Sequence, residues 1–352
     1  MQVKPENLVR PEILALKAYH VPESTGMVKL DAMENPYRLP DKLRRELADV
    51  LAKVDLNRYP DPRAPQLRAL IARTMGVPAG MEVLLGNGSD DLIQIITLAL
   101  ARPGAAMMYP GPTFVMYAMN ATYFGVRAVA AGLREDFSLD ADAFISAMRE
   151  EKPALVYIAY PNNPTGVLYP RAEVRRVIEA APGLVVLDEA YHAFAGETLM
   201  DELPRYANLL VLRTVSKLGL AGIRLGYLAG RPEWLGQFNK VRQVYNVNVL
   251  TEAAALFVLE RLDVLEAQAA EIRAEREHLG AALRALAGVT VFPSRANFFL
   301  VRVRDAARAY EGLRRQGVLV RNLHPALANC LRITVGTPEE NRILLNALKE
   351  TL

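Results

Sequence analysis

The sequence predicts an α/β fold: a large domain with a mostly parallel central sheet flanked by helices, joined to a smaller α+β domain. Three observations carry this reading. From Val83 to Ala229, short apolar runs alternate with helical stretches, the pattern of a parallel sheet covered on both faces. The Gly-rich and Pro-rich polar stretches sit just after the carboxyl ends of those runs, where open α/β sheets bind ligands. From about Leu250 to Leu286 the chain is rich in Ala, Leu and Glu with helical period, and a shorter strand–helix series follows.

Residues 1–35, with Pro5, Pro11, Pro22 and Gly26, read as an extended arm followed by a short strand, Val28 to Leu30. Asp41 is placed to cap a helix through Val54, with Leu43, Leu47, Val50 and Leu51 on one face. Asn57-Arg-Tyr-Pro-Asp-Pro62 is a loop, and a helix from Pro65 to Met75 is stopped by Gly76. The strand Val83 to Leu85 runs through Gly86-Asn-Gly-Ser-Asp-Asp91 into a helix, Leu92 to Ala101. That turn presents backbone N–H groups to an anion, or is simply a Ser/Asp-capped helix start. Strands at Ala105 to Tyr109, Val126 to Ala130, Ala154 to Ala159 and Leu184 to Leu187 alternate with helices. Those helices are one carrying Phe114 and Tyr117, one from Asp140 to Glu150 and one from Arg171 to Ala181. One long helix or two abutting ones cover Leu250 to Leu286. The remainder reads as strand, strand, helix (Asp305 to Gln316), strand, strand and a closing helix from Pro338. The expected division is 1–35 as arm and part of the small domain, 36–248 as the large domain, and 249–352 as the small domain led by its long helix.

A chain of 352 residues suits two domains. The net charge of +3, from 42 basic and 39 acidic residues without a Lys/Arg tract, gives no electrostatic case for nucleic acid. The single cysteine, Cys330, excludes an intrachain disulfide and fits a reducing compartment. The first ten residues lack the apolar core of a signal peptide, and no apolar run reaches the roughly 18 residues that span a membrane. A cytoplasmic protein with no membrane partner is expected. His20, His192, His278 and His324 lack metal-ligand spacing, so no metal is expected.

The chemistry centres on Arg213-Thr-Val-Ser-Lys-Leu-Gly-Leu-Ala-Gly-Ile-Arg-Leu-Gly-Tyr227. Apolar stretches lead in, Leu209 to Leu212, and out, Leu225 to Ala229. Lys217 therefore lies in a short loop between buried strands. Such an amine, once desolvated, can form a Schiff base with a carbonyl, although a surface loop with an incidental lysine has the same composition. Thr214, Ser216 and Arg224 are donors of the kind that hold a phosphate. An amine beside phosphate donors points to pyridoxal 5′-phosphate, which carries an aldehyde at one end and a phosphate at the other. Asp188, at the end of a buried strand, is either a capping or salt-bridged carboxylate or the counter-charge for a protonated pyridine nitrogen. Tyr191 and Asn163 are placed to reach the ring hydroxyl, although Asn163 also stands in a good turn sequence.

Taken in order, these motifs resemble the fold-type I aminotransferases, over essentially the whole chain. The residues that carry the resemblance are Gly86-Asn-Gly-Ser-Asp, Tyr160-Pro-Asn-Asn-Pro-Thr-Gly166, Val186-Leu-Asp-Glu-Ala-Tyr191, Thr214-Val-Ser-Lys-Leu-Gly and Gly222-Ile-Arg-Leu-Gly226. Val28-Lys-Leu-Asp-Ala-Met-Glu-Asn-Pro-Tyr37, Gly317-Val-Leu-Val-Arg321 and Leu331-Arg-Ile-Thr-Val-Gly336 are similar to the histidinol-phosphate aminotransferase branch. Two small departures stand out: Asp-Asp after Ser89, and Leu-Gly-Leu after Lys217 where many relatives have a longer Ala-Phe-Gly version.

The resemblance implies roles. Lys217 would bind the cofactor and then move a proton, Asp188 would pair with the ring nitrogen, and Asn163 and Tyr191 would contact the ring oxygen. Phe114 would cover the ring. The backbone of Gly88, Ser89 and Asp90, with Thr214, Ser216 and Arg224, would hold the cofactor phosphate. Tyr59 would reach the phosphate in the other subunit, which implies a homodimer with a shared active site. Arg332 would bind the substrate's anionic group, with Arg321, Tyr19 and Asn297 beside it. The implied substrates are histidinol phosphate and 2-oxoglutarate or glutamate, in histidine biosynthesis. The rivals within the fold are an aromatic or broad-range aminotransferase and a phospho-amino-acid decarboxylase. The fold's transcription regulators would need a DNA-binding segment, for which the motifs, starting by residue 28, leave no room.

Overall fold

A computed structural model describes residues 3–18 and 21–352. The first strand, β1 (Val28–Leu30), belongs to a five-stranded sheet that is otherwise built from the last part of the chain. The larger, seven-stranded sheet contains β2 (Glu82–Gly86), β3 (Ala106–Gly111), β4 (Arg127–Gly132), β5 (Leu155–Ala159), β6 (Leu184–Asp188), β7 (Leu209–Thr214) and β8 (Gly226–Gly230). Its order is β2-β8-β7-β6-β5-β3-β4. All neighbouring pairs are parallel except those of β8, which runs antiparallel to both β2 and β7. The reason is the connection: Val215 to Leu225 is too short for a helical crossover, so β8 must turn back beside β7.

Every residue of β5, β6 and β7 is buried, because helices cover both faces of the sheet. One face packs against the helices Ser89–Leu100, Met116–Phe124 and Pro232–Asn239, with Ile93, Tyr117 and Phe238 in one cluster. The other face packs on Ala141–Glu151 and Arg171–Ala180, through Phe144, Met148 and Val177. Inside this core, Arg213 of β7 donates two hydrogen bonds to Glu189, at 2.7 and 2.9 Å, and both residues are buried. Removing either partner would strand a buried charge at a cost of about 3–5 kcal/mol.

The five-stranded sheet has the order β1-β11-β12-β10-β9, adding β9 (Thr290–Val291), β10 (Phe298–Arg302), β11 (Val318–Asn322) and β12 (Cys330–Thr334). β1 pairs in parallel with β11, and the other pairs are antiparallel. Cys330 is buried in it. The Ala/Leu/Glu-rich stretch forms two helices, Val249–Leu259 and Leu262–Arg284. The closing helix, Pro338–Thr351, starts with a capping box formed by Thr337 and Glu340. We propose that 1–35 with 249–352 and 36–248 are the two units of the chain.

Several local expectations need correction. The arm contains two short helical turns, Pro5–Asn7 and Pro11–Leu14, because Pro5 and Pro11 occupy first-turn positions that need no N–H. Asp41 is the first helical residue rather than the cap: Pro40 precedes it, and the helix ends at Leu51. The helix after β2 starts at Ser89, so Ser89 and Asp90 lie in its first turn and Gly88, at φ 85°, takes the cap position. Phe114 precedes its helix, which begins at Met116. The helix Pro232–Asn239 was not expected: Pro232 stands at a favourable first position, but the segment is short and Gly236 interrupts it.

Candidate active site

The carboxyl ends of β2, β5, β6 and β7 converge on one pocket, of about 100 Å³, lined among others by Ser89, Asp90, Phe114, Asn163, Asp188 and Lys217. Tyr191, Thr214, Ser216 and Arg224 also line it. Residues separated by more than 100 positions in sequence are thus brought together because parallel strands all end on the same edge.

Lys217 sits in a single wide helical turn, Ser216–Leu220. Its amine donates to the carbonyl of Ala32 at 2.9 Å. Burial, and then Arg332, push its pKa down to about 8, which leaves a neutral fraction near physiological pH. Asp188 is buried and its pKa is pushed up to about 6, chiefly by burial. Its Oδ2 accepts from the Tyr117 hydroxyl at 2.7 Å and its Oδ1 from the Ala190 N–H at 3.0 Å.

At the far end of the pocket, Thr214 Oγ1 donates to Ser216 Oγ at 2.9 Å, and Arg224 donates to Ser216 Oγ at 3.4 Å. Arg224 also lies 3.6 Å from the Asp90 carboxylate, whose pKa burial raises. The backbone there is closely packed. A Cβ at Gly88 would stand 2.7 Å from Arg224 Nη2, and one at Gly226 would stand 2.5 Å from the Ser89 nitrogen. This leaves hydroxyls, a guanidinium and the N–H groups of a helix start turned to one spot, a site for a phosphate.

Asn163 and Tyr191 meet: Asn163 Nδ2 donates to the Tyr191 hydroxyl at 3.2 Å. Arg332 donates to Asn163 Oδ1 at 2.6 Å and to the Asp31 carbonyl at 2.8 Å. A second chamber, of about 820 Å³, adjoins the first through Met33, Phe114 and Asn163 and is lined by both Arg321 and Arg332. These arginines are directly opposite one another across β11 and β12. Like charges in such a register oppose each other, an arrangement suited to a bound anion. Asn297 is fully buried and donates to the Met33 carbonyl at 3.0 Å, so it acts on the chamber wall.

One expected contributor lies apart from this chain's own pocket. Tyr59 lies on the surface, 78% exposed, stacked on Tyr245 at 4.2 Å. Tyr19 lies outside the described residues. Two participants were not identified from sequence: the Ala32 carbonyl, which carries no side-chain signal, and Tyr117, whose only signal is its position three residues after Phe114. Among the described residues, no group of three His, Cys, Asp or Glu could hold a metal ion. No helix of these residues is long and apolar enough to cross a membrane.

The chain belongs to the class I and II aminotransferases, whose family pattern it matches over residues 25–348. Among its relatives is histidinol-phosphate aminotransferase 2 of Cupriavidus pinatubonensis, 57% identical, with 99% of this chain and 97% of the relative aligned. Histidinol-phosphate aminotransferase of Chromobacterium violaceum is 53% identical, with 99% of each chain aligned. A solved histidinol-phosphate aminotransferase from Sinorhizobium meliloti, in complex with pyridoxal-5′-phosphate, superposes with a TM-score of 0.87. It is 26% identical and covers 98% of this chain and 97% of that one. The aspartate aminotransferase of Thermus thermophilus with maleate, 22% identical at a TM-score of 0.80, shares the fold, with 98% of this chain and 99% of that one covered. The expected family and fold class are borne out.

The donor set fits pyridoxal 5′-phosphate. Lys217 is an amine for the aldehyde, Asp188 a carboxylate for the ring nitrogen, and the Gly88–Arg224 cradle a seat for the phosphate.

Proposed function

We propose that this chain is a pyridoxal-phosphate-dependent aminotransferase that moves the amino group of L-histidinol phosphate to 2-oxoglutarate, in histidine biosynthesis. The observation that carries the substrate is the facing pair Arg321 and Arg332 in a chamber that adjoins the pocket lined by Lys217. Two guanidiniums match a doubly charged phosphate, and later the carboxylate of the keto acid, better than one would. The names of relatives at 53–57% identity support the same reading.

When bound, the cofactor supplies an electron sink for negative charge at the substrate's α-carbon. The chain's own groups do the rest. Lys217, with its pKa lowered to about 8, takes the α-proton and returns it one position along. Asp188 keeps a proton on the ring nitrogen by standing against it as an anion. Asn163 and Tyr191 orient the ring oxygen, and Phe114 covers the ring and excludes water. Ser89, Asp90 and Gly88 through their backbone, with Thr214, Ser216 and Arg224, anchor the cofactor phosphate. Arg332 and Arg321 hold the substrate's anionic end, and Asn297 holds Met33 in the wall. Tyr59, exposed on its own subunit, reaches the cofactor phosphate of a second copy, so the working form is a homodimer. A single cysteine and the biosynthetic role favour the cytoplasm.

The test mixes the purified, cofactor-loaded protein with L-histidinol phosphate in the absence of any keto acid. Loss of the cofactor's visible absorbance is expected within the dead time of hand mixing. If phenylalanine bleaches the band and histidinol phosphate does not, the substrate is an aromatic amino acid instead. The apolar wall formed by Val115, Met119, Leu323 and Leu327 would suit such a ring.

A further inference from the structure

Tyr117 is fully buried, and its ring is fixed by its neighbours. It stacks on Tyr157 at 4.4 Å with the planes 5° apart, and Phe114 meets it edge-on at 5.7 Å. Its hydroxyl donates to Asp188 Oδ2 at 2.7 Å, while the Ala190 N–H holds the other oxygen. The plane of the carboxylate is therefore fixed from two directions. Tyr157 in turn packs with Ile93 and Ile96 of the helix that starts at Ser89. One buried stack thus joins the carboxylate at one end of the pocket to the helix whose start faces the other end.

The charges around Asp188 need such a donor. Burial disfavours its ionised form, and so do Asp90 and Glu189, the acidic groups near it. Tyr117 and the Ala190 N–H are the groups that favour it. Tyr117 does not lose its own proton here, since burial and Asp188 raise its pKa well above the usual range for a phenol.

We infer that Tyr117 is a positioning residue for transamination, holding the Asp188 carboxylate ionised and aimed at the ring nitrogen of the cofactor. The inference rests on the role of Asp188 proposed above. Tyr117→Phe keeps the ring and the stack and removes the donor. In the cofactor-loaded enzyme, kcat should fall roughly 10- to 100-fold, the effect of one hydrogen bond to a charged group, with KM within about threefold. Apart from activity, titration of the cofactor-free variant with pyridoxal phosphate, read by absorbance, should show roughly 10-fold weaker binding. The acidic limb of the kcat–pH profile should move to higher pH, which a loss of packing would not cause. In an Asp188→Asn background the same change should alter kcat less than about threefold, because its target is gone. Incorporation of 3-fluorotyrosine at position 117, a stronger donor of nearly the same shape, should move the acidic limb to lower pH even if Tyr117→Phe folds poorly. An unmoved limb in both variants, or effects of Tyr117→Phe and Asp188→Asn that simply add, would overturn the inference while leaving Asp188 in place. A harmless Asp188→Asn would instead remove the reading of Asp188 itself, and this inference with it.

Discussion

The cofactor pocket and the substrate chamber share a wall but are made from different materials. The pocket is the meeting point of strand ends, and its polar groups are held by one another: Asp188 by Tyr117 and Ala190, Ser216 by Thr214 and Arg224. The chamber is several times larger and bordered by loops, including His324 to Leu327. Its charges face each other across two strands. The pocket is pre-organised for one rigid molecule, whereas on the proposed reaction the chamber would take a phosphate ester in one half-reaction and a dicarboxylate in the other.

That contrast can be broken or sharpened in steps. Lys217→Ala should lower kcat by about 10,000-fold or more, and no visible band tied to the lysine should form on adding pyridoxal phosphate. An active Lys217→Ala enzyme would remove the pocket from the mechanism. Arg332→Lys keeps the charge but loses the fork that reaches Asn163 and Asp31. We expect kcat/KM to drop about 100-fold for every substrate, read in steady-state assays. Arg321→Ala should be more selective. We expect a roughly 10- to 100-fold loss for histidinol phosphate but under about threefold for phenylalanine, and equal losses would place Arg321 outside phosphate recognition. The smallest effect is on stability. Lys217 has a folded pKa of about 8, below its unfolded value, so between about pH 8 and 10.5 the unfolded state binds more protons. The cofactor-free protein should therefore gain stability from this group as pH rises through that window. Replacing Lys217 with Met should flatten the slope in urea titrations.

What could be read from the sequence follows the same division. The pocket residues lie in short, chemically distinctive stretches right after apolar strands, so Lys217, Asp188 and Asn163 were visible as types at positions. The reversed strand β8 was not, because an apolar run carries no direction. Tyr117 was hidden for another reason: an aromatic residue on a helix beside a sheet is ordinary core. Only its 2.7 Å contact with Asp188 distinguishes it. The pairing of Arg321 with Arg332 depends on the register of β11 against β12, which neither strand specifies alone.

The parallel pairing of β1 with β11 has a consequence for how the chain is made. Val28 meets Val318, so a strand that leaves the ribosome early waits for a partner about 290 residues behind it. At ordinary rates of synthesis that interval is on the order of 15–60 s. Through it, Asp31, Ala32 and Met33, which close one side of the site, hang from a segment with no sheet to join. Pairing at such sequence distance is slow and entropically costly, so the site should be the last thing the nascent molecule completes. Capture of pyridoxal phosphate would then mark the end of folding rather than guide its beginning.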